Sequence, residues 1–166
     1  AAPGHDPKSL IFHCERERLL ISADALWGNG FGIVFPEIGG ESGFDEQHEV
    51  LDLIGRLRVE RVLPGHGPMF DDVEAALARA RAKLAAMRED PKRHARHALK
   101  VLVKFLLLDV ERIAESALHE GVRDAVVMRH AAAQIGMDYG DALRWAADSL
   151  VAQRLLRREG DELLDA

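Results

Sequence analysis

The sequence predicts an α/β unit followed by a mainly helical one. Over residues 1–91 the hydropathy pattern runs strand, strand, helix, strand, helix, the order of an α/β fold. Glu89-Asp90-Pro91 then breaks a long helical pattern. From His94 onward the pattern is helical until a short hairpin closes the chain. With 166 residues there is enough chain for one ordinary core or two small ones, and the domains expected are 1–91 and 92–166.

Residues 1–8 form a Pro/Gly loop carrying His5. Ser9–Cys14 and Leu19–Ser22 read as strands joined by the charged turn Glu15–Arg18, hence a hairpin. Asp24 lies at the exit of the second strand. Gly28–Gly43 is glycine-rich and reads as a long loop, either facing a substrate or merely connecting. Asp45 is placed to cap a helix over Glu46–Leu57, with Val50, Leu53, Ile54 and Leu57 on one face. Val59–Leu63 is a short strand, ended by Pro64. Asp71 or Asp72 caps a helix to about Arg88, with Val73, Ala76, Leu77, Ala80, Leu84 and Met87 along one stripe. In the second unit, helices are expected over Ala95–Leu108, from a cap at Asp109 to before Gly121, over Arg123–Ile135, and from Asp138 or Asp141 to about Arg154. Leu155–Arg158 and Glu162–Asp165 form the final hairpin around Gly160. Helices ending in a hairpin are the pattern of a winged helix-turn-helix.

Composition narrows the function classes. Hydrophobic residues make up 48% and charged residues 30%, ordinary values for a globular chain. No apolar run approaches the length of a membrane span, so no membrane partner is expected. The net charge of −6 resides in residues 1–91, with 10 Lys and Arg against 16 Asp and Glu. That balance argues against a phosphate-backbone footprint there and is compatible with a cation site. A single cysteine, Cys14, excludes an internal disulfide and fits a reducing, cytoplasmic setting.

The chemistry centres on three residues. Asp24 lies among apolar neighbours, and no Arg or Lys occurs between residues 19 and 55. A carboxylate there needs a positive partner, and a metal ion is the obvious alternative to a basic side chain. His5 and His66 lie in matching Pro-Gly-His turns, and each of the three sits at an element edge, where sites gather. Imidazole with carboxylate suits zinc, and also iron or manganese.

Ala2-Pro3-Gly4-His5, Ser22-Ala23-Asp24-Ala25-Leu26 and Leu63-Pro64-Gly65-His66-Gly67, spaced by 19 and then 42 residues, resemble the last three metal motifs of the metallo-β-lactamase superfamily. The region after Asp24 is similar to hydroxyacylglutathione-hydrolase-like (glyoxalase II-like) members. The resemblance covers roughly residues 1–88. It implies the second half of an αββα sandwich, followed by a winged-helix-like domain. It implies that His5 binds one zinc, Asp24 bridges two ions and orients the attacking hydroxide, and His66 binds the second ion. The implied reaction is hydrolysis of a small-molecule thioester, ester or lactone, with RNA phosphodiester cleavage or iron-dependent persulfide dioxygenation as variants within the fold. Two departures stand out. Ala23 replaces the glycine usual before the bridging aspartate. The family's earlier His-x-His-x-Asp-His motif is absent from the 166 residues, which implies a fragment with half of the ligands and little activity on its own.

Other candidates have plainer readings. His13 and His48 read as packing or surface histidines, although His48 could reach a substrate. His94 and His97 could pair on a helix face, but no third ligand stands near them in sequence. Cys14 reads as a free thiol rather than a nucleophile. Trp27, Phe31 and Phe35 either wall a pocket or pack. Arg154, Arg157 and Arg158 cluster at the hairpin, yet residues 92–166 are net neutral, so packing or homodimerisation is favoured over nucleic-acid binding. The competing reading is a non-catalytic half-domain fused to a winged helix that binds nucleic acid or protein.

Overall fold

The computed structural model describes residues 1–166, which divide into two compact units, Ala1–Asp90 and Pro91–Ala166. The chain contains both helices and sheets, in the α/β arrangement the sequence predicts for the first unit.

In the first unit, β1 (Phe12–Cys14) and β2 (Leu19–Ala23) form the expected hairpin, with Arg18 taking a positive φ of 48° in the turn. β3 (Arg61–Pro64) pairs parallel to β2, giving the order β1-β2-β3. Parallel pairing needs a crossover, supplied by α1 (Phe35–Gly39) and α2 (Phe44–Arg56). α3 (Val73–Glu89) follows β3 and packs on α2. One face of the sheet, Leu20 and Val62, is fully buried against Leu51, Ile54, Ala76, Ala80 and Leu84. The other face carries Phe12, Ile21 and Leu63, one on each strand and in register across all three, and each is exposed.

Two expectations for this unit are corrected. The Gly28–Gly43 segment is not all loop, because α1 forms within it, started by Pro36 at a position where its missing N–H is harmless. Asp45 does not cap α2. The N-cap is Gly43, whose side chain offers no acceptor, and the carboxylate of Glu37 substitutes by accepting from the N–H groups of Gly43 (3.0 Å) and Phe44 (2.8 Å). Asp45 instead pairs with Arg88, 2.6 Å away. By contrast Asp72 caps α3 through the N–H of Ala75, at 3.2 Å.

The second unit opens with α4 (Pro91–Val110), continues through β4 (Arg112–Ala114), α5 (Glu115–Gly121), α6 (Val126–Ile135) and α7 (Tyr139–Ala152), and closes with β5 (Leu156–Glu159) and β6 (Glu162–Asp165). The hairpin is where the sequence predicts it. β4 departs from the expected pattern. It splits the helix expected from Asp109 to Gly121, starting after Glu111 turns the chain with a φ of 64°, and joins β6 to make a sheet of order β4-β6-β5. Three residues, Arg-Ile-Ala, are too few for a period-two pattern to show. α4 packs on α6 and α7, and the buried side chains of these three helices include Ala95, Ala98, Ala131, Ala132, Ala146 and Ala147.

Candidate metal centre

His5, Asp24 and His66 come together. Asp24 leaves the end of β2, where Ala23 adopts φ 46° and the β2–β3 register shifts, turning the carboxylate toward the loop that follows β3. His5 Nε2 lies 3.5 Å from Asp24 Oδ2, and His66 Nε2 lies 3.6 Å from Asp24 Oδ1. The two imidazoles therefore address opposite oxygens of one carboxylate. Both separations exceed a good N–H···O distance. They equal the spacing of two donors about 2.0–2.2 Å from a shared ion at a tetrahedral angle, which is about 3.3–3.6 Å.

The His5 ring is fixed in one sense. Its Nδ1 sits 2.5 Å from the carbonyl oxygen of Ile33. A carbonyl only accepts, so Nδ1 carries the proton, and a neutral ring then turns the Nε2 lone pair toward Asp24. A lone pair facing a carboxylate is repulsive unless a cation lies between them, or the ring is protonated. A metal ligand held by a carbonyl at its other nitrogen is the usual arrangement of a coordinating histidine. The donor set thus fits a divalent ion at each oxygen of Asp24. It does not complete either site: no three His, Cys, Asp or Glu side chains are grouped to hold one ion. What this chain offers is two pairs sharing a carboxylate.

The surroundings hold that geometry. A Cβ added at Gly32 would lie 2.6 Å from His5 Nδ1 and 3.0 Å from Asp24 Cβ. One added at Gly65 would lie 2.8 Å from Asp24 Oδ1. Bare backbone is therefore required on both sides of the carboxylate. Gly65 N–H also donates to Ala23 O (2.7 Å), and Gly32 N–H to Asp24 O (2.8 Å), tying the three loops together. Trp27 donates its indole N–H to Asp24 Oδ1 at 3.1 Å, shared with Ala23 O at 3.2 Å. Its ring meets the edge of His66 at 5.1 Å, as the ring of Phe35 meets His5 at 5.3 Å. His5 and Asp24 are 21% and 27% exposed and His66 is 64% exposed, so the pair on Oδ1 opens to solvent. Gln47, fully buried in α2, donates to Ala25 O at 2.9 Å and anchors the chain just after Asp24.

Of the aromatic candidates, Phe31 belongs to the core, and Trp27 and Phe35 abut the two histidines. Lys83 joins this region without a sequence signal that places it there. It reaches from α3 under the loop, donates to Phe31 O at 2.7 Å, and lies 4.7 Å from the Phe31 ring and 5.8 Å from that of Trp27. Burial pushes its pKa down. Only a lysine at helical spacing marks it in the sequence.

The remaining candidates lie elsewhere. His48 is exposed and pairs with Asp52 at 3.6 Å; the carboxyl of Asp52 is held below its usual range by a hydrogen bond from Arg81. His13 Nε2 lies 3.2 Å from Arg58 O. His94 is buried and His97 exposed, and they are not grouped with a third ligand. Cys14 is an exposed free thiol. Arg157 pairs with Glu159 at 2.8 Å, and Arg158 with Glu115 at 2.8 Å and Asp148 at 2.6 Å, which neutralises two of the three arginines at the hairpin.

No model of a protein family matches the chain, and no curated protein matches it. Among solved structures it is similar to a metallo-β-lactamase family protein from Thermus thermophilus, at 16% identity and a TM-score of 0.43, over 99% of this chain and 48% of that one. It is also similar to a β-lactamase domain protein from Burkholderia ambifaria, at 21% identity and a TM-score of 0.41, over 99% of this chain and 46% of that one. The chain spans about half the length of these structures.

Proposed function

We propose that residues 1–90 form half of a dinuclear metal centre of the metallo-β-lactamase type, in a hydrolase acting on a thioester, ester or lactone carbonyl. The observation that carries this reading is the carboxylate of Asp24 set between two imidazoles, 3.5 Å and 3.6 Å from its two oxygens. His5 and Asp24 Oδ2 would hold one ion, and His66 and Asp24 Oδ1 the other, with zinc, iron or manganese compatible with the donors. Bound divalent metal would acidify water to a pKa of about 7 and polarise a carbonyl oxygen.

This chain's own residues hold the frame for that chemistry. Ile33 O keeps the proton on His5 Nδ1 and so presents Nε2. Asp24 would offer one oxygen to each ion. Gly32 and Gly65 leave the space into which these groups fit. The remaining ligands would come from a polypeptide layer lying on the exposed face of the sheet, where Phe12, Ile21 and Leu63 make an apolar row. A sheet with one buried and one exposed apolar face has the form that one layer of a sandwich would take.

Metal analysis of the full-length protein tests the reading. Two equivalents of divalent metal, lost together in Asp24→Ala, are expected. A protein that holds no metal, and instead binds nucleic acid with steep salt dependence, would replace it with the interaction-module reading.

A further inference from the structure

We infer that Trp27 is a positioning residue for the Oδ1 side of the centre, which orients the Asp24 carboxylate for the ion shared with His66. The inference rests on the metal reading above and adds a role to a side chain that cannot itself be a ligand. Indole nitrogen is a donor only.

A carboxylate on a short side chain rotates through a broad, roughly two-fold torsion. Two ions on opposite oxygens require that rotation to be fixed. Nothing on the His5 side fixes it: Nδ1 of His5 is committed to Ile33 O, and its ring to the edge of Phe35. On the other side the indole N–H is 3.1 Å from Oδ1, and the same ring meets His66 at 5.1 Å with the planes 76° apart. One side chain thus touches both groups of the second pair. It is the pair most in need of support, since His66 is the most exposed of the three.

The indole is itself held from α3. Lys83 lies 5.8 Å over its ring and donates to Phe31 O, and Arg79 donates to Gly28 O at 2.8 Å. The backbone of Trp27 closes a tight turn with Gly30, N–H to O at 2.6 Å. The turn after Asp24 is therefore anchored at three points around the ring that orients the carboxylate. The N–H is shared between Oδ1 at 3.1 Å and Ala23 O at 3.2 Å, so it ties the carboxylate to the turn that carries it.

Trp27→Phe keeps an aromatic edge beside His66 and removes the donor. In a Zn²⁺ titration of the full chain, followed at the ring signals of His5 and His66 by NMR, the variant should bind at least about tenfold more weakly at His66. The His5 response should weaken by a smaller factor, because its ring stays held by Ile33 O and Phe35 while only the carboxylate is freed. Equal affinities in parent and variant, or equal weakening at both histidines, overturns the inference. A parent whose two rings ignore Zn²⁺ overturns the metal reading as well, so the two failures are told apart. The metal-free protein gives a second measurement that does not depend on Trp27→Phe folding. The indole N–H signal of Trp27, assigned against that of Trp145, should move upfield in Asp24→Asn, and an unmoved signal overturns the inference.

Discussion

At the residue scale the account turns on a few positions where the backbone or a missing side chain sets the chemistry. Ala23 is one: its φ of 46° lies in the left-handed region, which costs a non-glycine residue about 1–2 kcal/mol. Ala23→Gly removes that strain and loses about 0.4–1 kcal/mol through the unfolded chain, so a net stabilisation of up to about 1.5 kcal/mol is expected in urea denaturation. Gly32 is the opposite case. A methyl group there meets His5 Nδ1 at 2.6 Å, so Gly32→Ala should displace the imidazole from Ile33 O, cost about 1–3 kcal/mol, and abolish Zn²⁺ binding at His5. Lys83 gives a pH signature. Its folded pKa is lowered by burial, so the folded protein binds fewer protons than the unfolded chain between that pKa and the ordinary lysine value of about 10.4. The penalty of burying the charge is present below the folded pKa and fades as pH rises. The parent should therefore gain stability relative to Lys83→Met as pH rises toward about 10.4, and a difference that is flat in that range contradicts the assignment.

At the element scale, strong local periodicity is what the sequence discloses, and partnership at a distance is what it hides. α2 and α3 are legible because Val50 and Ile54, and Ala76, Leu77, Ala80 and Leu84, repeat at helical spacing and are all buried. The hairpin of β1 and β2 is legible because a charged turn separates two apolar runs. The cap of α2 is not, because its acceptor, Glu37, precedes the helix by seven residues and belongs to another helix. Glu37→Ala should cost about 1 kcal/mol, as the loss of an N-cap does, while Asp45→Ala, at an exposed pair with Arg88, should cost about 0.5 kcal/mol or less; thermal unfolding of the two variants separates them. β4 is hidden for a related reason, since its pairing partner β6 lies far along the chain, with Arg112 opposite Leu164.

At the scale of the whole molecule, the three site residues are legible because each sits in a short motif that ties residue type to an element edge. Their mutual arrangement is not, since only folding reveals that two imidazoles face opposite oxygens of one carboxylate. The sequence offers Trp27 as a pocket wall or a packing residue but not as a donor to Asp24, and Lys83 escapes it because a lysine on a helix has an ordinary surface role by default. No helix is long and apolar enough to cross a membrane. Two of the three arginines at the terminal hairpin, Arg157 and Arg158, are drawn into ion pairs within their own unit, so the interaction-module reading gains no support from them.

The central claim is that Asp24 is shared by two cations, one on each oxygen. The most direct test is a ¹⁵N-resolved NMR titration of the histidine rings with Zn²⁺. The account predicts that Nε2 of His5 and of His66 both shift on coordination, that Nδ1 of His5 keeps its proton, and that Asp24→Ala abolishes both responses. Shifts at His13, His48 or His97 with His5 and His66 silent, or unchanged responses in Asp24→Ala, would contradict it.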